Sequence, residues 1–417
     1  MNILSKKTTA YQPEINIGTL GHVDNGKTTL TLALTGKWTA KHSEELKRGI
    51  TIRVGYADTA FYKCPKCPPP DCYSISEKCP NCGAKGVFLR AISFVDCPGH
   101  HSLMVNMLSG AALIDGALLV IAADAKCPQP QDREHLAAAD IVGIKNIAVV
   151  QNKVDIVSEK RAVENYHEIK EFVKGTVAED APVIPVSAQR SINIDALIEA
   201  IEKKIPTPHR DFDKPPIMHI LRSFDVNKPG THVEEIVGGV IGGTIQRGKL
   251  KIGDELEIRP GIRKESYGKV QYEPLFTTIA TLFVGEKHAE EATCGGLVGV
   301  GTYFDPSLTK ADGLVGNVAG RADHMPPVLY ELRMDTRLFD RAIGTEDQVK
   351  VDRIREGEAL VINVGTAVTA GATNSVKGDK VEVTLKRPVC ANTGDRVTIS
   401  RRIGDSWRLI GFGIIKG

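Results

Sequence analysis

The chain has 417 residues, 42% of them hydrophobic and 25% charged, a soluble globular profile too long for one ordinary core, so two to four domains are expected. Its 53 basic and 51 acidic side chains leave a net charge of +2, which neither demands nor excludes nucleic acid. No apolar run reaches the roughly 18 residues of a membrane span, and the N-terminus lacks signal or transit character, so a cytoplasmic location is the default expectation.

The apolar run Ile15 to Leu20 predicts a buried strand, and Gly21-His22-Val23-Asp24-Asn25-Gly26-Lys27-Thr28 follows it. This string fits G-x-x-x-x-G-K-[ST] between a strand and a helix over Thr29 to Leu34, the context that the phosphate-binding loop requires. Glycines let the backbone wrap a phosphate so that amide N–H groups point at its oxygens, with the helix dipole behind them. The candidate nucleotide contacts here are Asp24, Asn25, Gly26, Lys27, Thr28 and Thr29. Lys27 reaches the β- and γ-phosphates, and Thr28 ligates Mg²⁺. Thr51, in Arg48-Gly49-Ile50-Thr51-Ile52, offers Mg²⁺ a second hydroxyl from a loop.

Two C-x-x-C pairs come next, Cys64-Pro-Lys-Cys67 and Cys79-Pro-Asn-Cys82. Each pair can place two thiolates on one tight turn, and four thiolates suit tetrahedral Zn²⁺ in a closed, structural shell. Cys72, Cys97, Cys127, Cys294 and Cys390 read as packing cysteines.

The strand Ile92 to Val95 ends in Asp96-Cys97-Pro98-Gly99. A carboxylate there can hold Mg²⁺ through water, and the Gly99 amide can sense a γ-phosphate. His100 is the candidate for orienting the attacking water, against the plainer reading that it packs or caps a turn. A strand over Ala117 to Ala122, a helix over Gln131 to Ile141 and a strand over Ile147 to Val150 follow. Asn152-Lys153-Val154-Asp155 then offers a carboxylate that can accept two N–H groups of a guanine edge, so ATP fits poorly. A helix over Ser158 to Val173 and a strand over Val183 to Val186 lead to Ser187, Ala188 and Gln189, which complete the base site. These elements make a doubly wound α/β domain over 1–208, with a zinc knuckle inserted at 62–84.

Ile205-Pro-Thr-Pro208 and Lys214-Pro-Pro216 mark a proline-rich joint. Short β-branched runs broken by glycine then predict an antiparallel β-barrel over 209–326. A second joint at Met325-Pro-Pro327 precedes another barrel over 327–417. Val237 to Ile245 carries four glycines, either at bulges of a bent strand or as bare backbone that a ligand approaches. Arg401, Arg402 and Arg408 read as a solvated charged face.

The Asp96-Cys-Pro-Gly-His100 string and the α/β-barrel-barrel order resemble the translational GTPases, the group that includes elongation factor Tu. Trp38 to Gly49, the cysteine insert, Arg222 to Gly230, Gly301 to Lys310 and Trp407 to Gly411 are similar to the gamma-subunit family of archaeal and eukaryotic initiation factor 2. The likeness covers about residues 13 to 417. It implies a GTP-dependent carrier of initiator methionyl-tRNA that works with alpha and beta subunits on the small ribosomal subunit. It also implies a second Mg²⁺ near Asp24 and the Gly49 carbonyl, and a tRNA contact at Tyr56. Hydrolysis of GTP to GDP would be slow alone and stimulated by a GTPase-activating partner.

Two positions depart from the family pattern. Asn25 stands where histidine is usual, with a small effect expected because the loop uses that position mainly through its backbone. His101 stands where an acidic residue is common. Competing readings are a selenocysteine-specific elongation factor, a GTPase subunit of sulfate activation, and a GTP-binding scaffold that does not hydrolyse.

Overall fold

The computed structural model describes residues 12–39, 54–98, 113–266, 268–285, 287–342, 349–404 and 406–417. Gly49, Thr51, Gly99, His100 and His101 lie outside these described residues.

Seven strands form the first sheet: β1 (Ile15–Leu20), β2 (Gly55–Lys63), β3 (Tyr73–Ser74), β4 (Val87–Asp96), β5 (Gly116–Ala122), β6 (Asn146–Asn152) and β7 (Val183–Pro185), in the order β3-β2-β4-β1-β5-β6-β7. The run from β4 to β7 is parallel. β2 and β3 pair antiparallel at one edge, and β4 is longer than the apolar core Ile92 to Val95 that announces it. β2 buries only Ala57 and Phe61 and leaves its other residues half-buried or exposed, so it lacks the continuous apolar run that marks β4 and β1.

Among the described residues, four helices cover the sheet: α1 (Lys27–Thr35), α2 (Pro130–Val142), α3 (Glu159–Val173) and α4 (Ile194–Lys204). β5 shows how both faces are filled. Leu118 and Val120 pack with Leu30, Leu34, Leu197 and Ile201 on one side, while Leu119 and Ile121 pack with Leu136 and Ile169 on the other. Complete burial of each such side chain contributes about 1.5–3 kcal/mol relative to exposure.

Beyond the joint, an eight-stranded antiparallel sheet forms a barrel-like second unit around Met218, Ile220, Ile241 and Leu256. The last unit is a closed six-stranded barrel built from Val328–Leu338, Ala359–Val364, Ala367–Lys377, Lys380–Cys390, Arg396–Ile403 and Ser406–Ile415. The glycines of Val237 to Ile245 have protein against them rather than open space. A Cβ on Gly238 would stand 1.9 Å from the Thr302 carbonyl oxygen, and one on Gly243 1.9 Å from that of His219. At these two positions close approach of the chain's own backbone, and not room for a ligand, is what demands glycine.

The first sheet is tied to both other units. Gly296 N–H donates to Asn16 Oδ1 at 2.8 Å, and Arg210 in the joint pairs with Asp115 at 2.6 Å. On the last barrel, Arg408 is not a solvated charge. It pairs with Glu134 of α2 at 2.9 Å, the two side chains being 15% and 1% exposed. Arg401 likewise is bound to Glu358 within the barrel, while Arg402 is exposed.

Burial pushes the Glu134 carboxyl up to about 7 against the pull of Arg408. A carboxylate raised above its unfolded value makes stability fall as pH rises from the ordinary glutamate range through 7. Arg408→Met removes the opposing cation and extends that window upward. The variant is expected to lose about 3 kcal/mol at pH 8.5 and distinctly less at pH 6, where Glu134 can take a proton. Melting curves at both pH values check this, and an equal loss at both would contradict the assignment.

Candidate functional site

β1 ends where the chain turns into α1. Gly21, Asp24 and Gly26 there have φ of 130°, 63° and 88°, so the loop winds through left-handed backbone before the helix starts. A helix of this orientation presents its first N–H groups and the positive end of its dipole at one point. The loop is also held from below. Gly21 N–H donates to His135 Nδ1 at 2.8 Å and His22 N–H to Asp132 Oδ1 at 2.7 Å, both residues standing on the first turns of α2.

Lys27 is 6% exposed, and its ammonium donates to the carbonyls of Gly21 (2.9 Å) and His22 (2.7 Å). Burial lowers its pKa, while the charges of Asp96 and Asp132 raise it. Asp96 is fully buried at the end of β4. It accepts hydroxyl protons from Thr28 and Thr39, each at 2.7 Å, and from Thr19 at 3.1 Å. Burial pushes the Asp96 carboxyl up, and the hydroxyls of Thr39 and Thr28 and then Lys27 pull it back. A hydroxyl donating to a carboxylate keeps its own lone pairs, so Thr28 and Asp96 together make a hard-oxygen set of the kind Mg²⁺ takes.

At the neighbouring strand end, Asn152 is 2% exposed and bridges two loops. Its Nδ2 donates to the Asn25 carbonyl at 2.9 Å, and its Oδ1 accepts from Ala188 N–H at 3.0 Å. Asn152 therefore fixes the base loop relative to the phosphate loop. Lys153 pairs with Asp124 at 3.2 Å. Asp155 accepts from Arg190 Nε at 2.9 Å, and the Ser187 hydroxyl and then Arg190 hold its carboxyl below the ordinary range. It is ionised at neutral pH and can accept the two N–H groups of a guanine edge. Gln189, one residue from Arg190, is exposed.

The sequence reading did not include Thr19, Thr39, Asp132, His135 or Arg190. Only Asp132 and His135 carried a signal, two polar residues spaced i, i+3 in the first half of a helix whose buried second half, Leu136, Ala138, Ala139 and Ile141, is apolar.

The four paired cysteines converge in a second site. All their sulfurs lie within 4.8 Å of one another, with Cys64 to Cys82 at 3.4 Å and Cys67 to Cys79 at 3.8 Å. Four thiolates at Zn–S lengths of about 2.3 Å would stand roughly 3.8 Å apart, so the set fits tetrahedral zinc. The turns close on their own backbone, Cys64 N–H to the Cys72 carbonyl at 2.7 Å and Gly83 N–H to the Cys79 carbonyl at 2.9 Å. The Lys66 amide, 3.4 Å from Cys64 Sγ, draws that thiol down to about 6. Cys72, Cys97, Cys127, Cys294 and Cys390 are buried.

Tyr56 lies on β2, packed against the core of the first unit that includes Val95 and Cys97. Its hydroxyl is buried and has no hydrogen-bond partner among the described residues. Burial raises its pKa, and Arg222 of the second unit is close enough to oppose that.

Comparison with known proteins decides the family. The sequence profile of the elongation factor Tu GTP binding domain matches residues 12–207, and that of initiation factor eIF2 gamma, C terminal, matches 330–415. The chain is 57% identical over 404 residues to translation initiation factor 2 subunit gamma of Archaeoglobus fulgidus, covering 97% of this chain and 95% of that one. The same protein of Pyrococcus abyssi is 56% identical over 413 residues, covering 99% and 100%. The chain belongs to the translation initiation factor 2 gamma-subunit family.

It is therefore a GTPase of translation initiation, with an elongation factor Tu type GTP-binding domain that takes GTP or GDP with Mg²⁺. Among solved structures, the bacterial selenocysteine-specific elongation factor EF-Sec shares the fold with a TM-score of 0.73 at 22% identity. The match covers 97% of this chain and 58% of that one, so this chain spans less than two thirds of its length. Translation elongation factor SelB of Methanococcus maripaludis with the GTP analogue GppNHp gives 0.71 at 22% identity, covering 98% and 80%.

Proposed function

We propose that this chain carries initiator methionyl-tRNA to the small ribosomal subunit while GTP is bound, together with alpha and beta subunits, and hydrolyses that GTP on start-site selection. The observation that carries the nucleotide part is the Asn152 bridge. It sets a guanine-reading carboxylate, Asp155, beside a loop whose amides can cradle phosphates.

In this reading the amides of Asp24, Asn25, Gly26, Lys27, Thr28 and Thr29 hold the phosphate oxygens, and Lys27 supplies positive charge. Asp155 selects guanine, while Ser187 and Ala188 bound the base. Thr28 and Thr51 would hold Mg²⁺ directly and Asp96 through water, the ion supplying charge that offsets the phosphates, and Asp24 with the Gly49 carbonyl would hold a second. Gly99 senses the γ-phosphate, and His100 orients the attacking water. Binding of GTP orders the loops through contacts that GDP lacks. The domain limits 1–208, 209–326 and 327–417 belong to the same proposal.

The tRNA part rests on position. Tyr56 offers a buried hydroxyl on β2 within electrostatic reach of Arg222 of the second unit, so nucleotide-dependent movement of one unit against the other would be felt there. Filter binding of charged initiator tRNA to the chain loaded with GTP or GDP tests it. A several-fold or larger preference for the GTP form is expected. Equal retention in both states, or a preference for GDP, would overturn the carrier reading.

A further inference from the structure

Asn25 is held at three points, two through its side chain and one through its backbone carbonyl, so it is not a place-holder in the phosphate loop. It is 2% exposed, and its Nδ2 donates to the Val120 carbonyl of β5 at 2.8 Å and to Asp132 Oδ1 of α2 at 3.1 Å. Its own carbonyl takes the Asn152 proton. Asp132, 1% exposed, gathers the other end. Oδ1 also accepts His22 N–H at 2.7 Å, and Oδ2 accepts Gln129 N–H at 2.8 Å, capping α2. One carboxylate thus satisfies two donors of the phosphate loop and one at the helix start, and its bond to Asn25 lies in the interior, between two side chains that are both almost fully buried.

We propose that Asn25 and Asp132 are a matched pair of positioning residues that sets how long bound guanine nucleotide stays in the loop. The proposal rests on the reading that this loop cradles the phosphates. Neither side chain touches nucleotide in it. They act through the backbone at His22 and Asn25, whose direction decides where the neighbouring amides point. Burial makes the pair mutually dependent, because removing either partner leaves the other with a polar group that has no solvent to turn to. The small effect expected for the Asn25 departure follows only if the position acts through its backbone, and its side-chain bonds say otherwise.

The pair should also respond to pH. Three donors converge on the Asp132 carboxylate, so a proton there displaces one of them. Burial pushes its carboxyl up to about 6. The ionisable groups acting on it are Lys27 from α1 and Cys127 from the preceding loop; His22 meets it through its backbone N–H, and His135, three residues on along the same helix, accepts Gly21 N–H. His135 is held neutral by burial, and burial keeps the Cys127 thiol protonated.

The test is the dissociation rate of a fluorescent GDP from the full chain in Mg²⁺, for wild type, Asn25→Ala, Asp132→Ala, the double variant and Asp132→Asn. Each alanine variant is expected to release at least tenfold faster, and the double variant no faster than about the quicker single. Lowering pH from 8 to 5.5 is expected to speed release from wild type and to do so much less in Asp132→Asn, which keeps the shape and one acceptor oxygen. Single variants within twofold of wild type, effects that multiply in the double variant, or an unchanged pH profile in Asp132→Asn would each overturn the pairing. A wild-type chain that retains no guanine nucleotide would instead sink the reading of the loop itself.

Discussion

Asp155→Asn is expected to raise the Kd for GDP and GTP roughly a thousandfold and to create affinity for the xanthine nucleotides. Guanine offers N1–H and an exocyclic amine to the two carboxylate oxygens, and each charge-assisted bond is worth about tenfold or more in Kd. An asparagine presents one acceptor and one donor, so its amide faces the guanine amine donor to donor. Xanthine carries a carbonyl where guanine carries the amine, and accepts that same proton. Ser187 and Arg190 fix the direction of the wild-type carboxylate, so the pattern is set before the base arrives. Equilibrium titration with GDP and XDP checks the exchange. Guanine affinity within threefold of wild type would remove Asp155 from the site.

The second large effect concerns the cysteine knuckle. About one zinc per chain is expected on protein purified without chelator, falling to near zero in Cys67→Ser or Cys82→Ser. With the metal gone, residues 62–84 should be cut rapidly by protease, because the two turns keep few backbone bonds to hold them. GDP affinity should hold within a few-fold. The knuckle joins the far ends of β2 and β4, where Lys63 pairs with Val87, while Gly55 pairs with Asp96 at the nucleotide end. At about 3.3 Å per residue, the ten residues of β4 separate the two sites by roughly 30 Å. Metal content unchanged in the serine variants would refute the ligand set. Metal content well below one in wild type would refute the zinc reading.

How much of this was legible in the sequence depends on how local each feature is. The phosphate loop, the Asn152 to Asp155 stretch and the two cysteine turns each need only a few neighbouring residues to define their geometry, and all could be read directly. The parallel strands β1, β4, β5 and β6 were visible because burial on both faces leaves continuous apolar text, whereas β7 is only half-buried and was visible from its short apolar run alone. β2 and β3 were not, since an edge strand with one wet face and a two-residue ladder write no such text.

What joins the site together was out of reach for a different reason. Asp132 meets Asn25 across 107 residues, and Arg408 meets Glu134 across 274, contacts that only the assembled topology brings into range. Arg408 was misread because an arginine near a chain end is usually solvated, and nothing in its neighbourhood says that an acidic residue on α2 lies above it. The glycines at 238 and 243 were ambiguous for the same cause, because bare backbone looks alike whether a ligand or another strand fills the space.

The contrast between the two β units bears on solubility. In the closed barrel every strand has two neighbours, so no row of backbone donors and acceptors is left for a stray chain to zip onto. The eight-stranded sheet has outer strands, and the one spanning Lys269–Thr278 carries Pro274 together with Glu273, which is bound to Lys264. A proline cannot donate to an incoming strand, and charge at such a border discourages docking. The border at Lys269–Thr278 is thereby closed to fibril-like growth by its own side chains, whereas the last barrel needs no such guard because it has no border at all.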